Sequence, residues 1–131
     1  MVKILPDTHL LLWSADADHP GRLPSTAAAI MANPANDLYF SAASIWEVSI
    51  KRGLGRRGLV VDPHALYLGL LDNGYIELKI SSVVSFGVLT LPHIHRDPFD
   101  RLLIAQAAFE DCLLLTADPT IAKYPGQIRL V

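Results

Sequence analysis

Between residues 93 and 101 the chain packs two histidines, two arginines and two aspartates into nine positions, then runs straight into an apolar stretch. Asp97 followed by Pro98 reads as a helix start. The aspartate supplies a capping oxygen, and proline at the first helical position gives up an N–H that has no partner there. Asp100 then falls on the first turn, where the helix dipole favours an anion. Residues 102–109 are apolar on nearly every face, as in a buried helix. A charged cluster at the mouth of a buried helix suggests a site. Three more acids, Asp7, Glu47 and Asp118, stand near the ends of other apolar segments.

The elements that must position these groups alternate in type. Residues 2–5 form a short apolar strand ahead of Asp7, and LLLW follows as a short helix. STAAAIMAN reads as a second helix, capped by Ser25 or Thr26, and LYFS at 38–41 is rich in strand formers. The chain then enters a helix from 42 to 52 that ends at Gly53, with glycines making 53–58 a loop. Asp62-Pro63 caps a further helix closed by Gly74. IELKI at 76–80 alternates apolar and charged residues, the mark of an edge strand with one wet face. SVVSFGVL forms a shorter helix, LLLT at 113–116 a strand covered on both faces, Asp118-Pro119 a helical turn, and IRLV a last strand. Alternating strands and helices predict an α/β domain with a largely parallel sheet covered on both sides, one domain over 1–131. Right-handed crossovers then bring Asp7, Glu47, Asp100 and Asp118 to the carboxyl rim, where such folds bind ligands.

Each acid also has a purely structural explanation. Asp7, Asp97 and Asp118 can cap helices, Ser44-x-x-Glu47 matches a capping box, and Glu47 with Lys51 forms a favourable i,i+4 pair. Together they are harder to explain that way, because four carboxylates on one rim repel unless a cation sits among them. A hard divalent ion with oxygen ligands, Mg²⁺ or Mn²⁺, resolves the conflict, activates water and neutralises a phosphoryl group. No Walker loop, GxGxxG, HExxH, CxxC or GxSxG competes with this reading. The histidines lack transition-metal spacing. His93 and His95 suit phosphate contact or local hydrogen bonding, and His9 suits the site edge or packing.

Composition narrows the class. The chain is 51% hydrophobic and 18% charged, which is globular, and a net charge of −2 makes no case for nucleic acid by itself. Lys51, Arg52, Arg56 and Arg57 form a local basic run that can meet phosphates or simply cap a helix end. The single cysteine, Cys112, excludes an intrachain disulfide, reads as core, and fits a reducing cytoplasm. Asp7 and His9 interrupt the faint signal-like N-terminus, and no apolar run is long enough for a membrane span.

PDTHLLLW, SAASIWEVSIKRGLG, HIHRDPFDRLLIAQA and LLTADP, in this order, resemble a PIN-domain ribonuclease, specifically a VapC-type toxin of a toxin–antitoxin pair. The resemblance runs through essentially the whole chain. It implies a three-layer α/β/α fold whose five-stranded parallel sheet has the order 3-2-1-4-5. It also implies a catalytic set of Asp7, Glu47, Asp100 and Asp118, with Asp7 and Asp100 as the Mg²⁺ (or Mn²⁺) ligands and Asp97 left as the cap. Thr8 and Thr116 match the small hydroxyl residues that support the acids. Lys51, Arg52, Arg96 and Arg101 become candidates for RNA contact, Arg101 also for contact with a carboxylate behind the metal ligands. Implied partners are an RNA substrate, a cognate antitoxin and a second copy of the chain. Rival readings are a catalytically silent PIN scaffold, a PIN nuclease outside a toxin–antitoxin pair, and a receiver-like phosphoacceptor. The last lacks its adjacent acidic pair and its lysine. One departure is Pro6, which cannot donate from a central strand, so either the strand stops at Leu5 or the turn into Asp7 is altered.

Overall fold

The computed structural model of the chain describes residues 2–55 and 61–131. Arg56 and Arg57 of the basic run lie outside them. The elements are β1 (Lys3–Pro6), α1 (Thr8–Ala15), α2 (Ser25–Ala32), β2 (Asp37–Ser41), α3 (Ala42–Gly53), α4 (Pro63–Asp72), β3 (Ile76–Leu78), α5 (Ser82–Gly87), α6 (Pro98–Glu110), β4 (Leu113–Thr116) and β5 (Ile128–Leu130). The five strands form one parallel sheet in the order 3-2-1-4-5. The first and fourth strands are therefore neighbours, and their carboxyl ends share one crevice.

Strand alternation explains the layers. Successive side chains point to opposite faces. Ile4 and Leu115 join a core with Leu10, Met31, Phe40, Leu66 and Leu70, from the side of α1, α2 and α4. Leu5 and Leu114 join a second core with Leu103, Ile104 and Ala107 of α6, and with Cys112. Burial pushes the Cys112 thiol up to about 11, so it is an inert core residue.

The local starts and stops differ in detail from the sequence expectation. Proline 24 occupies the N-cap of α2 and makes no side-chain cap bond, so neither Ser25 nor Thr26 caps it. Ser41 caps α3 by accepting from the Ala43 N–H, which releases Ser44 and Glu47 from the capping box. The turn after β4 is a 3-10 turn over Ile121–Lys123. Pro6 is part of β1, so the strand does not stop at Leu5. The Asp7 N–H donates to the Leu115 carbonyl at 2.9 Å, facing β4. By alternation the proline nitrogen faces β2, whose pairing with β1 covers only Lys3 and Ile4. The missing N–H thus falls beyond that ladder and costs it nothing.

Candidate active site

Asp7 follows β1 directly and caps α1, its Oδ1 accepting from the Leu10 N–H at 3.0 Å. It is only 2% exposed, and burial raises its carboxyl above the usual range, against the Thr116 and Leu10 hydrogen bonds that lower it. Thr116 Oγ1, at the end of β4, donates to Asp7 Oδ2 at 2.6 Å and accepts from the Asp118 N–H at 3.0 Å. One hydroxyl therefore sets the position of two acids across the crevice. Asp118 holds its own turn by accepting from the Thr120 N–H at 2.8 Å, and its side chain is 40% exposed. Of the four acids it is the one most open to solvent.

The helices bring the other two. Glu47 lies on the second turn of α3 and is 2% exposed. Lys51 Nζ, one turn on, donates to Glu47 Oε2, while Glu47 Oε1 has no partner among the described residues. Thr8 Oγ1 donates to Ser44 Oγ at 2.9 Å, tying the start of α1 to the same turn of α3. Asp97 caps α6 through one oxygen, which accepts from the N–H groups of Phe99 and Asp100 at 2.9 and 3.3 Å. Asp100 sits on the first turn. Burial, followed by the charge of Asp97 and then that of Glu47, pushes its carboxyl up to about 6 against the opposing His95 hydrogen bond.

His95 closes the circle. Its Nε2 lies 2.8 Å from Asp100 Oδ2 and 3.8 Å from Asp118 Oδ2. A chain of contacts thus runs from Asp7 through Thr116, Asp118 and His95 to Asp100, whose carboxyl feels the charge of Glu47. Among the described residues, His95, Asp97 and Asp100 each bring one potential ligand atom within 4.8 Å of the others. Asp7 is outside that trio and is linked to it through Thr116 and Asp118. A buried acid without a full set of donors and an orphaned carboxylate oxygen fit a cation, because either costs free energy unless a positive charge joins it.

Lys51 makes the i,i+4 pair with Glu47 that its spacing suggested, and other residues have work the sequence did not suggest. Arg101 touches no site carboxylate. Its guanidinium donates to the carbonyls of Pro92 and Val88 and to the Tyr124 hydroxyl at 2.8, 3.3 and 3.1 Å. Tyr124 in turn accepts from the His95 N–H at 2.7 Å. Arg101 and Tyr124 therefore brace the segment that carries His95. Arg52, Arg96, His93 and His9 are exposed, and His9 packs its ring against Trp13. The sequence reading missed Tyr124, gave Ser44 only a capping role, and offered His95 for phosphate contact or local hydrogen bonding. Tyr124 is 29 residues from His95, with no local signal to connect them.

Thr116→Val is expected to keep the fold, at a cost of about 1 kcal/mol for a buried hydrogen bond. It should weaken divalent-ion binding about tenfold or more, since groups that orient ligands are worth that much. Calorimetric titration of the folded variant measures it, and an unchanged affinity would remove Thr116 from the site.

The PIN domain family model matches residues 4–127. No curated protein matches the chain. Among solved structures, VapBC2 from Rickettsia felis, bound to a DNA fragment from its promoter, aligns at a TM-score of 0.71 with 13% identity, over 98% of both chains. VapBC-1 from nontypeable Haemophilus influenzae aligns at 0.59 with 15% identity, over 99% of this chain and 98% of that one. At such identities the likeness is one of fold.

Proposed function

The chain belongs to the PIN domain family, and from that premise we propose that residues 1–131 form one divalent-metal-dependent ribonuclease domain, the toxin of a toxin–antitoxin pair. The observation that carries this reading is the buried, under-compensated acid set: Asp7 and Asp100 raised by burial, and Glu47 Oε1 without a partner. Asp7 and Asp100 are the metal ligands, with Glu47 and Asp118 completing the catalytic set. Mg²⁺ or Mn²⁺, when bound, lowers the pKa of water and neutralises charge on the phosphoryl group.

The chain's own residues do the positioning. Thr116 holds Asp7 and the Asp118 backbone in register, and Lys51 keeps one oxygen of Glu47 fixed. Asp118, the most exposed acid, faces the water and the scissile phosphate. By family resemblance the products carry 5′-phosphate and 3′-hydroxyl ends. Arg52 and Arg96, both exposed, are candidates for the RNA backbone, while Lys51 is held by Glu47 and Arg101 by the loop before α6. Trp46 is exposed one residue before Glu47, and its ring meets Phe99 edge-on at 5.0 Å. It offers a base a stacking surface.

Two further surfaces support partners. A groove of about 850 Å³ lies between α1, α2 and α4, away from the acids, with Leu23, Met31, Leu66 and Tyr75 among its walls and Asp16 and Asp62 also lining it. It suits an antitoxin segment with apolar anchors flanked by basic residues, in keeping with the VapBC assemblies that share the fold. Val83, Phe86 and Leu89 are exposed together on and after α5 and suit a second copy of the chain. Among the described residues no helix is long and apolar enough to cross a membrane, and the reading places the protein in the cytoplasm. Incubating the purified chain with a mixed RNA panel tests the activity. Cleavage should require Mg²⁺ or Mn²⁺, leave 5′-phosphates and weaken as salt rises. Undiminished cleavage in chelator would reject it, and so would intact RNA after incubation with folded, ion-loaded protein.

A further inference from the structure

The loop before α6 brings a nitrogen donor into a site otherwise made of carboxylates. His95 Nε2 stands 2.8 Å from Asp100 Oδ2 and 3.8 Å from Asp118 Oδ2. Two ligand atoms at adjacent corners of an octahedron with bonds of about 2.1 Å stand about 3 Å apart. The His95–Asp100 separation matches such an edge. The three candidate ligand atoms of His95, Asp97 and Asp100 lie within 4.8 Å of one another, as they must to share one ion. Asp97 spends only Oδ1 on capping α6, which leaves its other oxygen for an ion.

An acid cluster alone does not make a site, and two independent features join this one. Glu47 Oε1 is buried without a partner, on the residue whose charge Asp100 feels. The backbone that carries the imidazole is also held in place. Tyr124 Oη accepts from the His95 backbone N–H, and Arg101 holds both Tyr124 and the carbonyls of Val88 and Pro92. Bracing of this kind fixes where the loop presents the imidazole before an ion arrives.

We propose that His95 Nε2 is a direct ligand of the divalent ion, giving a mixed imidazole–carboxylate site that selects Mn²⁺ over Mg²⁺. The inference rests on the metal-dependent reading above. An imidazole nitrogen is a softer donor than a carboxylate oxygen. Mg²⁺ holds to oxygen and keeps its waters, while Mn²⁺, a transition-metal ion, tolerates an imidazole nitrogen among its oxygen ligands. The histidine thus sets the choice of ion.

Pulsed electron paramagnetic resonance on the metal-free full chain loaded with one equivalent of Mn²⁺ tests this directly. The expected spectrum carries a directly coordinated imidazole ¹⁴N coupling, and that coupling disappears in His95→Gln. Titrations of Mn²⁺ and Mg²⁺ should show His95→Gln lowering the Mn²⁺-over-Mg²⁺ preference about tenfold, in line with the tenfold or greater loss of affinity that removing even an outer partner of a ligand brings. Bound Mn²⁺ without a ¹⁴N coupling overturns the inference, as does an unchanged preference in a folded His95→Gln variant. Either result, in a chain that binds ions and cuts RNA, leaves the nuclease reading standing. Failure of the folded chain to bind either ion overturns both.

Discussion

Asp100→Asn is expected to reduce RNA cleavage by at least about 10³-fold, equivalent to about 4 kcal/mol of lost transition-state stabilisation. The variant should fold at least as well as the parent. Asn keeps the shape of the side chain on the first turn of α6 and can still meet His95, but it brings no charge. Burial and the charges of Asp97 and Glu47 already make ionisation of Asp100 costly. Removing that charge relieves the metal-free protein while taking away the ion's counter-charge. Activity and stability should move in opposite directions. A cleavage assay and a thermal melt on the same preparation measure both. Full activity in folded, nuclease-free Asp100→Asn would reject its assignment.

The second large effect concerns pH and metal together. Asp100 is raised from 3.8 to about 6, and burial also raises Asp7. A carboxyl with a raised folded-state value binds its proton more tightly in the folded protein than in the unfolded chain. Its contribution to stability is fully present below about pH 4 and is lost as pH rises through about 6. The metal-free protein should therefore lose stability across that window. A divalent ion competes with those protons and restores the loss only where the carboxylates are ionised. At one hundred times its dissociation constant the ion adds about 2.7 kcal/mol. That is a rise in Tm of roughly 10 °C for a chain of this length. The shift should be large at pH 7.5 and small at pH 5, and Asp100→Asn should flatten the difference. Calorimetry with Mg²⁺ and with chelator at both values measures it. Equal shifts at the two values would contradict the account.

Much of this organisation was legible before any coordinates. The Asp97-Pro98 cap and the apolar run after Asp100 specify α6 almost by themselves, because local capping and continuous burial agree there. The half-wet alternation of IELKI pointed to an edge, and β3 is an edge strand. The sheet order came from the family resemblance, since strand composition alone does not rank neighbours. Contacts of long sequence separation were the least visible. Thr116 and Asp7 are 109 residues apart, and nothing local in either segment announces their 2.6 Å hydrogen bond. Tyr124 was illegible for the same reason. Arg101 and Lys51 were ambiguous in a different way. A cation beside an acid reads equally as a phosphate contact or as a partner for a nearby group, and packing decides between them. Here one braces the loop of His95 and the other pairs with Glu47. Pro6 looked like a strand breaker because its neighbours were unknown. Its nitrogen faces the side where β2 is no longer paired.

The central claim is that four acids carried by separate elements converge on one divalent ion. Anomalous diffraction from crystals of the full chain soaked in Mn²⁺ tests it most directly. A peak is expected at coordination distance, about 2.0 to 2.3 Å, from carboxylate oxygens of both Asp7 and Asp100. Glu47 and Asp118 should border the same peak. A peak seated instead on an acid outside the set, such as Asp16 or Asp62, or no peak between Asp7 and Asp100 at saturating Mn²⁺, would contradict it.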